Sequence, residues 1–110
     1  MERKPRCYFA GSSQMLDTSK ANLFGDVFNL FEDEASSKNI YATSAQAYHI
    51  KKRLSDAISS DYLIIGGRTA SILIAFAILY EKFGFVNILL FSSKDGGEYI
   101  PRCIPKHQLI

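Results

Sequence analysis

Three short turns carry the residue types best suited to holding a ligand: Gly11-Ser12-Ser13, Gly66-Gly67-Arg68-Thr69 and Ser92-Ser93. Each follows an apolar run. Glycine lets a backbone approach a ligand closely, and serine and threonine add hydroxyl donors. A helix opening near Thr69 would aim its free N–H groups and positive dipole end at an anion. Arg68 could add a bidentate contact to a phosphate. The pattern is neither G-x-G-x-x-G nor a P-loop, so its weight rests on two distant turns meeting. Groups for acid–base or nucleophilic chemistry are scarcer. Asp95 and Glu98 follow the last apolar run, whereas Asp61 precedes one and reads as the cap of a strand start. His49 is expected on the solvent side near Lys52 and Arg53, and His107 lies near the end. Neither has a partner at metal-ligand spacing, so no metal and no cofactor is called for. Cys7 reads as inert packing inside a strand and Cys103 as the more exposed thiol.

The elements that must position these turns follow from hydropathy. Strands are expected over residues 6–11, 39–42, 61–65 and 86–91. The apolar pairs Leu23/Phe24, Val27/Phe28 and Leu30/Phe31 predict a helix over residues 20–34. Thr43-Ser44-Ala45-Gln46 resembles a capping box, followed by the stripe Ala47, Ile50, Leu54 and Ala57. A third helix runs from Arg68 or Thr69 to about Phe83, with Gly84 as its stop. Pro101 and Pro105 argue for an irregular tail over residues 99–110. The order βαβαβαβ predicts one α/β domain over residues 1–110. Its expected form is a Rossmann-like, flavodoxin-like three-layer sandwich with a short, mainly parallel sheet. With strand order 2-1-3-4, the turns at Gly11 and Gly66 flank the topological switch point, where such folds bind ligands.

Charge and length narrow the partners. The chain has 110 residues, 47% of them hydrophobic, with 13 Lys+Arg against 11 Asp+Glu. That suits one compact core. Arg3, Lys4 and Arg6 against Glu2 account for the whole excess, so it lies in residues 1–6 and the rest is neutral, with residues 1–5 as a basic tip. A neutral body offers no track for nucleic acid. The longest apolar run, residues 72–80, falls short of the roughly 20 residues needed to span a bilayer. No membrane partner is therefore expected, and the setting is cytoplasmic. Residues 70–80 are apolar on all sides, which a helix on one face of a sheet does not need. A homodimer through this helix is expected, the alternative being cover by residues 99–110.

The segment Arg6-Cys7-Tyr8-Phe9-Ala10-Gly11-Ser12-Ser13 resembles the first strand and Gly-Ser turn of a Rossmann-like superfamily. That superfamily holds the nucleoside 2-deoxyribosyltransferases, their N-glycosidase relatives and the SLOG nucleotide-sensing domains. Residues 50–65, 66–80 and 86–91 are similar to its later helix, turn, helix and strand. The resemblance implies a nucleotide-like ligand at Gly11, Ser12, Ser13, Gly66, Gly67, Arg68, Thr69, Ser92 and Ser93. The transferase branch implies a glutamate near Ser71 or Ile72, and neither position is acidic. The reading is a small non-catalytic protein that senses or sequesters a nucleotide or nucleotide derivative. Its alternatives are a divergent N-glycosidase using Asp95 or Glu98 and a protein-interaction module using helix 70–80.

Overall fold

The computed structural model describes residues 3–10, 19–30, 43–67, 69–94 and 97–105. The expected strand at 39–42 lies outside them. Five strands form one sheet in the order β2-β1-β3-β4-β5. They are β1 (Arg6–Ala10), β2 (Asp26–Asn29), β3 (Tyr62–Gly67), β4 (Phe85–Ser92) and β5 (Glu98–Pro105). The first four pair in parallel and β5 joins β4 antiparallel. Among the described residues the α-helices are α1 (Thr43–Arg53) and α2 (Thr69–Phe83).

Both α-helices cover one face of the sheet. Tyr8, Ala10, Leu63 and Ile88 from the strands pack there against Ile50 and Leu54 from the α1 end and Ile72, Ala75 and Leu79 of α2. The other face buries Cys7, Phe9, Ile64 and Leu89 under Ala21 and Tyr99. Alternate residues of β1 and β3 thus enter different cores, which is why these strands read as unbroken apolar runs. α2 ends where expected: Gly84 takes φ 79°, and its N–H closes on the Tyr80 carbonyl at 2.7 Å. A left-handed glycine just past the helix satisfies a carbonyl that would otherwise be orphaned.

Two expectations are overturned. The helix expected over residues 20–34 does not form across its described part, residues 20–30: a 3-10 turn spans Ser19–Leu23 and a strand follows at Asp26–Asn29, and residues 31–34 lie outside the described residues. Gly25 explains the break. A Cβ there would sit 2.4 Å from the Pro5 carbonyl oxygen, and Asp26 N donates to that same oxygen at 3.0 Å. Val27 and Phe28 then serve opposite faces of the sheet, a spacing that imitates a helical pair. Residues 99–105 are not irregular either. They belong to β5, whose Leu89↔Pro101 and Phe85↔Pro105 pairings put both prolines at the same phase of the ladder. An edge strand has one side that needs no donor, so it tolerates proline in that phase.

The arginines at the start of the chain are paired within the fold. Arg3 donates both Nη atoms to Asp61, at 2.9 and 2.7 Å, and Arg6 pairs with Asp56 at 3.0 Å. Asp61 also accepts from Arg6 N, Ile58 N and the Tyr8 hydroxyl at 2.9–3.0 Å. Burial opposes ionisation of Asp61, but these donors outweigh it and hold the carboxyl below its usual range. Burial also pushes the Tyr8 hydroxyl up to about 12. Because the folded state lowers the Asp61 pKa, its stabilisation is complete above the unfolded value of about 3.9 and is lost as pH falls through the folded value. Asp61→Ala should cost about 2–4 kcal/mol, because the buried Tyr8 hydroxyl and the Arg6 and Ile58 N–H groups lose their acceptor. Urea midpoints from pH 7 to pH 2 check both points. The wild-type midpoint should fall in acid, and an Asp61→Asn variant should lose the part of that fall due to Asp61.

Candidate functional site

At the carboxyl edge, β3 continues through Gly66 and Gly67, so these glycines end a strand rather than form the turn beyond it. The pairing shows why. Tyr8↔Leu63 is followed by Ala10↔Gly67, so β3 spends two extra residues over that interval. Glycine suits a bulged strand. The exits of β1 and β3 are therefore adjacent, and α2 begins at Thr69, which is exposed. Gly11, Ser12, Ser13 and Arg68 lie outside the described residues.

Beside this junction runs a groove of about 460 Å³, lined by Gly66, Thr69, Leu73, Phe76, Leu90 and Ile104 among others. Its polar groups are at the Gly66 and Thr69 end, and the remainder is apolar. Ser92 closes β4 in the same alternate row as Leu90, and its Oγ accepts from Lys94 N at 3.4 Å. Ser93 is exposed and Glu98 is exposed at the start of β5, while Asp95 lies outside the described residues. Ser71 and Ile72, the positions where the resemblance implies a glutamate, are both buried.

The apolar helix is accounted for in part within the chain. Ser71, Ile72, Ala75 and Leu79 are buried, and Ile104 of β5 packs against the same core as α2. Leu73 remains 64% exposed, at the edge of the groove.

A second cleft, of about 570 Å³, opens at the amino edge among β1, β2 and the carboxyl end of α1. Sequence reasoning missed it. The guanidinium carbons of Arg6 and Arg53 lie 4.4 and 4.2 Å from the centre of the Phe28 ring. Tyr8 meets the same ring edge-on at 5.5 Å. Arg53 is held further by a 3.1 Å bond to the Asn29 carbonyl. His49 is half-buried in the wall rather than on the solvent side, with Lys52, Ser55 and Asp56 around it. Its signal in the sequence was the run Lys51-Lys52-Arg53, which also fits a helix C-terminus facing solvent. Phe28 could not be linked to that run while residues 20–34 were read as a helix.

The two thiols differ sharply. Cys7 is fully buried, burial pushes it up to about 12, and its Sγ lies 3.5 Å from the Ala21 carbonyl. Cys103 is exposed on β5. An aromatic disulfide reagent should therefore titrate one thiol in the native protein and the second only after unfolding. Colorimetric counting with and without urea reads this directly, and two fast native thiols would contradict the burial of Cys7.

Residues 8–105, nearly the whole chain, match a family described as phage Pam3 gp32-like protein. No curated protein and no solved structure matches.

Proposed function

The chain belongs to the phage Pam3 gp32-like protein family, and we propose that it is a small non-catalytic protein binding a nucleotide or nucleotide derivative. The frame on this reading is a Rossmann-like three-layer sandwich. One observation carries the proposal: Ala10 pairs with Gly67. The chain leaves β1 for β2 on one side and β3 for β4 on the other, so the strand order reverses between these neighbours. Open α/β sheets bind ligands at that crevice, beyond the strand carboxyl ends. The Gly66–Thr69 end would take the anionic part, with Arg68 and the Gly11-Ser12-Ser13 turn as further donors. The apolar groove would take the base. The resemblance to the SLOG domains and deoxyribosyltransferases supports the same ligand class. Burial of Ser71 and Ile72 fits a site without their carboxylate. Two free cysteines fit a reducing, cytoplasmic setting.

Calorimetry against nucleoside mono-, di- and triphosphates and NAD-derived cyclic products tests the reading. At least one should give saturable heat, and Arg68→Ala should weaken it by about tenfold or more, as expected for a charge-assisted bond. No heat from any member removes the proposal.

Exposed Leu73 beside the groove favours a second reading, in which another copy of the chain occupies this face. Light scattering over a concentration series should then show a dimer that Leu73→Asp dissociates. A monomer at every concentration ends that reading.

A further inference from the structure

The sheet ends on a long strand, β5, whose backbone is closed at positions that face away from β4. Among the described residues no strand lies beyond it. Pro101, Arg102 and Cys103 are exposed. An exposed edge of this kind is a template for a further strand. In an antiparallel ladder, alternate residues send both backbone groups to the same neighbour. β5 pairs with β4 without a break, from Phe85↔Pro105 to Ser92↔Glu98. Proline has no N–H, so the phase that bonds β4 is the one holding Ile100, Arg102 and Ile104. The other phase, which holds Pro101, Cys103 and Pro105, faces outward.

We propose that Pro101, Pro105 and the Arg102 guanidinium close this edge to strand addition by a second copy of the chain. Two independent observations place the block at Pro101. Its ring removes the donor and sets a carbon where another residue would point its N–H. Arg102 Nη1 donates to the Pro101 carbonyl at 2.7 Å, so the acceptor is taken as well. That bond supports the outward phase, because a carbonyl directed into the ladder would belong to β4. A second copy that set its Cys103 opposite Pro101 would lose one of the two bonds in each such pair. One that set Pro101 opposite Pro101 would lose both. Pro105 repeats the missing donor in the same phase. Any incoming carbonyl that faced either proline would lose water and gain no donor. Contact between copies through α2, at exposed Leu73, is untouched by this block.

The test compares an open-edge variant with its parent, both carrying Leu73→Asp to remove association through α2. The variant adds Pro101→Val, Arg102→Thr and Pro105→Val. These changes restore the donors, free the carbonyl and suit an extended strand. Sedimentation over a concentration series should show a monomeric parent and a dimerising variant. The variant's association constant should exceed the parent's by about tenfold or more, as expected for several restored bonds. Hydrogen exchange followed by NMR should show a fast Cys103 amide in the parent. In the variant the same amide should slow as concentration rises, while Ile100 and Ile104 stay slow in both. A variant with the two proline changes alone should associate more weakly than one that also carries Arg102→Thr, and equal association overturns the part given to the arginine. The proposal fails if the open-edge variant, shown to be folded by thermal melts, stays monomeric at every concentration. It fails on the wild-type chain alone, whether or not the variants fold, if the Cys103 amide is as protected as that of Ile104, because that phase would then be paired already.

Discussion

The Asp61 carboxylate holds together three segments at the amino edge of the sheet. It accepts from both Nη atoms of Arg3, from the backbone N–H groups of Arg6 and Ile58, and from the Tyr8 hydroxyl. A carboxylate this deeply buried is tolerable only when its lone pairs are filled, and here five donors fill them. The arm before β1, the start of β1 and the loop before β3 are fixed relative to one another. That fixes the Cys7↔Tyr62 register, and a one-residue slip would exchange the two buried faces. Beyond a two-residue shift after Tyr8, Ala10 pairs with Gly67 at the other end. The crevice proposed for the nucleotide thus depends on a polar knot at the opposite edge of the sheet.

The knot also separates the two functions of Arg6. Its backbone N–H serves Asp61, while its guanidinium is directed to Asp56 and Phe28. The amino edge thereby carries paired charges without disturbing the strand pairing. The carboxyl edge is built from the opposite material. Gly66 and Thr69 give way within a few residues to Leu73, Phe76 and Leu90. One sheet presents two surfaces of different chemistry because its strands are buried along their middles and differ only at their ends.

Much of this frame was legible because local and global signals agreed. β1, β3 and β4 are strands buried on both faces and read as continuous apolar runs. The stop of α2 at Gly84 and the start of α1 at Thr43 were readable from glycine and threonine alone. Asp61 was readable as a strand cap from its position, though its partners were not. The failures share one cause, which is a tertiary contact overriding a local pattern. Val27 and Phe28 have helical spacing, but Pro5 pressing on Gly25 and pairing with β1 make them a strand. Pro101 and Pro105 look like breakers, but their common phase on an edge strand removes the penalty. His49 looked solvated only because β2 was not there to wall it in.

The charge distribution carries the same lesson further. Summed along the sequence, the positive excess lies in the first six residues. In the folded chain, Arg3 is neutralised by Asp61 and Arg6 is paired with Asp56. At the carboxyl end of α1, Arg53 meets Arg6 at the Phe28 ring, and Lys52 lines the same cleft. A segment's net charge describes a field only where the segment is exposed and unpaired, and Arg3 is neither. The excess assigned to the first six residues is therefore largely paired within the fold. Arg6 and Asp56 lie 50 positions apart in the chain and Arg3 and Asp61 lie 58 apart, so only the folded structure reveals that pairing.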